Sequence, residues 1–375
     1  MTVHSQVLAL RSSLLGAFCE REREIDSLLI AALAREHILL LGPPGTAKSE
    51  LARAFAGALS GANHFEWLLS RFSSPEELFG PVSLSGLKAD RFERVTTGKL
   101  PEAHVAFLDE VFKANSAVLN SLLGVINERH FHNGTGIQKC PLVTCVAASN
   151  ELPEGPELGA LWDRFVLRHW VDYVQSPDSF AAIVGGTKSL RASVSISLGE
   201  WEAAQAEVDA VALPKKVIDA LFSLRAKLQA EGITASDRRW RKCGALLRAA
   251  AWLDGLQAVE VEHLAVLAHA LWNTPDQAPK VAALVAGFAS EELAKAQQIA
   301  DSLVEVLAKV PAESDGSFEA RAVSARREVR KGLERISALR SAASPSAARK
   351  IEAIASDLQA RSATLREAVE RLLSL

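Results

Sequence analysis

The sequence predicts an α/β fold: a parallel sheet covered by helices on both faces, followed by a wholly helical remainder. Three observations predict it. Short apolar runs at 37–41, 105–108 and 142–148 have the character of buried parallel strands. Helical segments lie between them, as at 48–59 and 116–128, and strands alternating with helices make a parallel sheet. Beyond about residue 173 the strand signals nearly vanish.

Taken in order, residues 4–18 and 21–34 read as helices, the second opening on the acids of RERE before apolar residues at helical spacing. The run 37–41 stops at a glycine. Residues 176–275 look helical, with Pro214 near one helix start and Gly232 and Pro275 as breaks. Residues 281–310 form one long helical pattern, and 311–317 is a loop rich in Pro, Gly, Ser and Asp. Two further helices follow, joined at Ser344 and Pro345, a natural N-cap and first-turn pair. In the last helix Ile351, Ile354, Leu358, Leu365, Ala368, Leu372 and Leu375 keep a heptad rhythm broken at Arg361. That pattern predicts a helical hairpin that packs on another surface, the preceding helix being one candidate.

Bulk properties narrow the function. A chain of 375 residues suggests two or three domains. A net charge of -3 argues against a generally basic nucleic-acid surface. The four cysteines, Cys19, Cys140, Cys145 and Cys243, have no metal-finger spacing and read as free thiols of a reducing cytosol. The nine histidines form no zinc motif, and the seven tryptophans lie mainly in or beside apolar helices, as packing residues do. The apolar stretch at 7–10 is broken by Arg11 and lacks a basic lead-in, so no signal peptide is expected. No run reaches the 18 to 20 apolar residues, roughly, that cross a bilayer, so no direct membrane insertion is expected.

The chemistry sits in three places. Gly42, Pro43, Pro44, Gly45, Thr46, Ala47, Lys48 and Ser49 lie between a predicted strand and a predicted helix, the context a phosphate loop needs. Backbone N–H groups and a helix N-terminus would wrap phosphate oxygens, Lys48 would reach the β- and γ-phosphates, and Ser49 would bind Mg²⁺. Ala47 stands where glycine is usual, and it fits there if its backbone is helical. Second, the strand 105–108 runs into Asp109 and Glu110 at the edge where parallel sheets bind ligands. Asp109 would hold the Mg²⁺ shell and Glu110 would polarise an attacking water. Third, the strand 142–148 runs into Ser149 and Asn150, whose amide could orient that water. Each feature alone has a bland reading, a surface turn or a solubilising acid; together they point to a nucleoside triphosphate.

The chain resembles the MoxR family of AAA+ ATPases, and most closely its RavA-like branch. The resemblance rests on GPPGTAKS, RFSSPEELFGP (71–81), RFERVTTGKLPEAHVAFLDEVFKAN (91–115), LLGVINERHFHNG (122–134), AASNELP (147–153), ALWDRF (160–165) and SDRRW (236–240). It covers roughly residues 5–275, and that branch shares the alanine at 47. The resemblance implies an αβα nucleotide-binding domain with a five-stranded parallel sheet (1–173), an all-α lid (174–277) and a C-terminal helical region (278–375). It implies a homo-hexamer with ATP between neighbours, an insertion at 80–101 and a β-hairpin at 131–142 that face the pore or ring surface. The Asn133-Gly134 step independently favours a tight hairpin turn. Arg164 matches the finger that reaches a neighbour's γ-phosphate, and Arg238 the lid sensor, with Arg239 the runner-up; either could instead be a surface arginine paired to Asp163 or Asp237. Arg129 is a weaker, intersubunit candidate. The β-rich partner-binding domain that longer RavA-like proteins insert has no counterpart here, since 311–317 is far too short for one.

The resemblance further implies a cytoplasmic, chaperone-like ATPase that remodels a protein client with a von Willebrand factor A domain partner. Two other readings stay open at this point. One is a DNA-acting or transcription-regulating motor, for which neither a GAFTGA-like loop nor a DNA-binding tail is present. The other is a nucleotide-gated scaffold with little turnover, against which Glu110 and Arg164 argue.

Overall fold

The computed structural model describes residues 2–153, 156–186, 189–288, 291–308, 310, 318–343 and 345–373. Five strands form a wholly parallel sheet: β1 (Ile38–Leu41), β2 (His64–Leu68), β3 (Val105–Asp109), β4 (Thr144–Ser149) and β5 (Leu167–Trp170), in the spatial order β2-β3-β4-β1-β5. Every residue of β1 and β4 is buried, with no in–out alternation, because both sheet faces are covered. Helices α1 (Val3–Ala17) and α2 (Glu22–Leu33) precede β1, and α3 (Lys48–Ala58) follows it. α2 packs over β1, β4 and β5, and α3 over β3 and β4.

Two strands differ from what apolar runs alone announce. β2 is an edge strand with mixed exposure, so it never forms an apolar block. β5 reads Leu-Arg-His-Trp, and its Arg168 and His169 are both buried. Arg168 is caged: its guanidinium donates to the carbonyls of Phe165 (3.0 Å), Trp162 (3.2 Å) and Trp272, and lies 4.5 Å from the ring centroid of Trp162. Burial pushes its pKa down, yet the three carbonyls and the aromatic face supply what water would have.

Between β3 and β4 come α4 (Ser116–Leu123), a π-helical turn (Gly124–Glu128) and a hairpin of His130–Asn133 with Gly136–Lys139. The expected hairpin therefore forms around the Asn-Gly step, with Gly134 at φ 63°. The segment 80–101 holds a short α-helix (Leu84–Lys88) and is clipped to this hairpin. The Asn133 side chain accepts from the Arg94 N–H (2.6 Å) and donates to the Arg94 carbonyl (3.0 Å).

α5 (Pro156–Trp162) precedes β5, and the main described elements after β5 are helices: α6 (Pro177–Val184), α7 (Leu198–Ala210), α8 (Lys215–Ala230) and α9 (Asp237–Leu253). The helical pattern at 281–310 is not one helix. It splits into α10 (Ala278–Ala286) and α11 (Glu291–Ala308), the first ending at Gly287. Then come α12 (Phe318–Ala342) and α13 (Pro345–Leu373).

The chain divides into two compact units. The first holds residues up to Leu213 with Thr234–Val259 and His269–Pro275; the second holds Pro214–Ile233, Glu260–Ala268 and Asp276–Leu375. Within the second, α12 and α13 pack on each other and both on α11, through Ala300, Leu303, Val329, Ile336, Ile351 and Leu358. That agrees with the heptad reading over Ile351–Leu358. The positions Leu365–Leu375, the loop at 311–317 and the Ser344 cap lie outside the described side chains.

Candidate active site

Parallel strands all end at one edge, and the order β3-β4-β1 places the ends of three of them side by side. Each end carries one of the predicted features. The loop after β1 turns at Gly42, which runs at φ 135° beside β5: a Cβ there would sit 2.3 Å from the Val171 carbonyl oxygen, so only glycine fits. Thr46 closes the loop by donating its hydroxyl to the Pro43 carbonyl (3.1 Å). Ala47 does not meet the condition of a right-handed helical backbone. It is the left-handed N-cap of α3, at φ 63° and ψ 27°, which is the conformation that makes glycine usual at this place.

Lys48 is buried, and its ammonium folds onto its own loop, donating to the carbonyls of Gly42 (2.9 Å) and Pro43 (2.7 Å) and to the Thr46 hydroxyl (3.2 Å). Burial lowers its pKa, against the pull of Asp109 and Glu110. The same ammonium is 3.5 Å from Asn150 Oδ1, and Asn150 donates its Nδ2 to Glu110 Oε1 at 2.7 Å. Lys48, Asn150 and Glu110 thus form one hydrogen-bonded path across the ends of three adjacent strands.

Glu110 is held in a left-handed backbone, φ 52°, and its N–H donates to Asp109 Oδ1 (3.0 Å). Its second oxygen, Oε2, is buried without a hydrogen-bond partner among the described residues, 3.5 Å from the Lys113 ammonium. Ser49 donates its hydroxyl to Glu50 (3.0 Å) at the first turn of α3. The Ser49 hydroxyl and the Asp109 carboxylate are hard oxygen donors of the type Mg²⁺ prefers. With the buried Glu110 Oε2, which accepts no hydrogen bond among the described residues, next to Asp109 in the chain, these residues fit a hydrated divalent ion.

A second group gathers at Asp163, at the end of α5. Arg239 is buried and committed: Nε and Nη2 donate to Asp163 Oδ1 at 3.1 and 2.6 Å, and Nη1 to Asn273 at 2.7 Å. Arg238 is exposed. Arg164 donates Nη1 to the Ala160 carbonyl (2.8 Å), while its Nε is buried and has no hydrogen-bond partner among the described residues. Burial and then the neighbouring Arg238 lower the Arg164 pKa, with Asp163 opposing. Arg129, the weaker candidate, is a tether: it donates to the carbonyls of Leu142 (2.8 Å) and Arg35 (2.5 Å).

Beside the phosphate loop lies a cavity of about 760 Å³ with a largely apolar lining that includes Phe18, Tyr173, Phe180, Ile183 and Leu190. Arg21, which lines it, and the preceding Glu20 were invisible to motif reading. Arg21 opens the RERE stretch and Glu20 directly precedes it, where the evident signal is a helix start. Among the described residues no group of three or more His, Cys, Asp and Glu side chains could hold a further metal, and no helix is long and apolar enough to cross a membrane.

A parallel sheet of this strand order, with a phosphate loop after β1, an acidic pair after β3 and a polar amide after β4, defines a P-loop nucleoside triphosphatase of the AAA+ class. The comparisons with known proteins narrow the class. Residues 5–206 match the model described as the MoxR domain in the MoxR-vWA-beta-propeller ternary systems, and residues 216–285 match an AAA lid domain. The chain belongs to the MoxR family of AAA+ ATPases. It is 41% identical over 309 residues to an uncharacterized protein of Methanocaldococcus jannaschii, covering 80% of this chain and 81% of that one. It is 28% identical over 322 residues to protein MoxR of Paracoccus denitrificans, covering 75% of this chain and 93% of that one. A solved structure from Cytophaga hutchinsonii, assigned as an ATPase, superposes with a TM-score of 0.62 at 18% identity, covering 77% of this chain and 95% of that one. At that identity the likeness speaks for the fold alone.

Proposed function

We propose that the chain hydrolyses ATP at the Lys48–Asn150–Glu110 site and uses the cycle to remodel a protein client, as a RavA-like MoxR ATPase of the cytoplasm. The observation that carries this reading is the hydrogen-bonded path from Lys48 through Asn150 to Glu110. On binding, the Lys48 ammonium exchanges the carbonyls of Gly42 and Pro43 for β- and γ-phosphate oxygens. Glu110 Oε2, the unsatisfied buried acceptor, takes the attacking water, and Asn150 fixes the carboxylate that polarises it. Ser49 and Asp109 would hold Mg²⁺, which when bound neutralises charge on the phosphates.

The finer assignments have different supports. Arg164, with its unpaired Nε, is proposed as the finger offered to a neighbouring copy in a homo-hexamer. Arg238 is proposed as the lid sensor because it is exposed, whereas Arg239 is consumed by Asp163. The division into nucleotide domain (1–173), lid (174–277) and C-terminal helices (278–375) follows from the same reading. The matched family description names a MoxR-vWA system, which supports a von Willebrand factor A domain partner. Leu84, Phe92 and Ile137 are exposed on the clipped insertion and hairpin, where a client could be gripped.

Phosphate release by the wild type and by Glu110→Gln tests the reading, alone and with the partner. Loss of a positioned general base lowers turnover by about 10²–10⁴-fold, and Mg-ATP binding is expected to persist. Equal, slow release by both proteins would leave a nucleotide-gated scaffold in place of an ATPase.

A further inference from the structure

The cavity beside the phosphate loop is lined by Arg21, and Arg21 and the preceding Glu20 together tie three separate segments. Glu20 has φ 54°, a left-handed backbone that a residue with a Cβ adopts only where its surroundings hold it. Its carboxylate accepts the backbone N–H groups of Gln175 (2.8 Å) and Ser176 (2.9 Å), and these bonds, Gln175 first, draw its pKa down to about 2. Ser176 is in turn the N-cap of α6, accepting from the Ser179 N–H at 3.1 Å, and Phe180 and Ile183 of that helix line the cavity.

Arg21 is 7% exposed. Its planar fork donates Nη2 to the Asp172 carbonyl (2.7 Å), Nε to the Thr46 carbonyl (3.3 Å) and Nη1 to the Glu20 carbonyl (2.6 Å). Thr46 belongs to the phosphate loop and touches the Lys48 ammonium through its hydroxyl at 3.2 Å. Hydrogen bonds therefore run from the cap of α6, through Glu20 and Arg21, to the residue beside Lys48. A lysine at 21 is a point charge and could not span the three carbonyls.

We infer that Glu20 and Arg21 form a clasp that positions the phosphate loop against residues 172–176, so that filling of the apolar cavity and the grip of Lys48 on a triphosphate are set together. This rests on the reading of the site as a Mg-ATP site. Both are positioning residues, acting through Thr46 and through the α6 cap.

The test is Mg-ADP affinity and steady-state ATP turnover on the full chain. Arg21→Gln and Arg21→Lys are expected to weaken Mg-ADP binding about 10- to 100-fold, as for lost charge-assisted hydrogen bonds. KM for ATP should rise in step, with kcat at saturation within about 3-fold, the pattern of lost binding rather than lost chemistry. Glu20→Gln should weaken binding about 3- to 10-fold, because an amide offers one acceptor where the carboxylate offered two. Combined with Arg21→Gln it should add less than about 2-fold, since the two share one path. Hydrogen exchange at the Gln175 and Ser176 amides should slow on Mg-ADP binding in the wild type, and at least one of the two should be fast and nucleotide-independent in Glu20→Gln.

Affinity unchanged in the Arg21 variants, kcat lost at unchanged KM, or losses that multiply in the double variant would each overturn the clasp. If the Arg21 variants fail to fold, Glu20→Gln and Glu20→Ala carry the test by affinity and exchange, and wild-type values in both overturn it. Lys48→Ala separates this from the underlying reading. A wild type that binds no Mg-ADP removes the site itself. Binding lost in Lys48→Ala but intact in Arg21→Gln removes only the clasp.

Discussion

At the scale of single residues, local strain and ion pairing separate the phosphate loop from the arginine cluster. Ala47 holds a left-handed backbone at the start of α3, and a Cβ in that conformation costs roughly 1–2 kcal/mol. Glycine removes that cost but loses more freedom on folding, so Ala47→Gly is expected to stabilise by about 0.5–1 kcal/mol. A thermal melt should show a rise of about 2 °C, with nucleotide affinity kept; a fall in the melting temperature would mean that the loop is not left-handed there. The arginines of the Ser236–Trp240 segment separate in the same way. Arg239 is buried against Asp163 and Asn273, and its removal leaves Asp163 unpaired. Breaking a buried pair costs about 3–5 kcal/mol, and with Asp163 one-fifth exposed Arg239→Ala belongs at the low end of that range. Arg238 is exposed, so Arg238→Ala should change stability by less than about 0.5 kcal/mol while lowering ATP turnover. Chemical denaturation and phosphate release on the two variants distinguish them, and a stability loss in Arg238→Ala with none in Arg239→Ala would reverse their roles.

At the scale of elements, the site depends on how closely β1's exit passes β5. Gly42 lies against the Val171 backbone, whereas Gly45, also at positive φ, has no atom within 4 Å of where a Cβ would be. Gly45→Ala therefore bears only the backbone strain, about 1–2 kcal/mol, but Gly42→Ala must also displace the chain leaving β5. Gly42→Ala should be the more destabilising by at least about 1 kcal/mol and should alone abolish nucleotide binding, measured by urea melts and calorimetry; equal losses would count against the close approach. The same geometry explains what could be read from the sequence. β1, β3 and β4 lie inside the sheet and are buried throughout their apolar runs, so apolarity marked them and the loop, acids and amide at their ends. β2 is half-wet at the edge, and β5 owes its burial to a caged arginine and a histidine, so neither has a one-dimensional signature. The family resemblance was needed to expect five strands. The break between α10 and α11 hides because a lone glycine, Gly287, in a helical pattern is tolerated inside a helix as well as ending one. Arg21 escapes for a related reason: its partners are backbone carbonyls at positions 20, 46 and 172, which no motif encodes.

At the scale of the whole molecule, the first unit carries buried histidines that must stay neutral. His37 accepts the Cys145 N–H at Nδ1 (3.0 Å), so Nε2 carries the proton and donates to the Ile126 carbonyl (2.6 Å). Burial, then Arg129 and Lys242, hold its pKa well below the usual value. His169 and His269 stack with ring centroids 4.1 Å apart; burial lowers both, His269 to about 4, with the neighbouring Arg23 adding to it. Each folded value is depressed, so the unfolded chain binds these protons first. The stability they contribute is present above about pH 6.5 and is lost as pH falls below it, at about 1.4 kcal/mol per pH unit for each group. Glu20 and Glu200, drawn down to about 2, act only below about pH 4.5, so the two windows separate. All seven tryptophans lie in this unit, so intrinsic tryptophan fluorescence follows its unfolding without the helices of the other. Urea midpoints read this way should be level between pH 8 and 7 and fall steadily from 6.5 to 5. Replacing His169 and His269 together by phenylalanine keeps the ring contact, removes two of the protons and should flatten the slope. A midpoint that is constant down to pH 5, or a slope unchanged in the double variant, would show that these rings take up protons in the folded chain as readily as in the unfolded one.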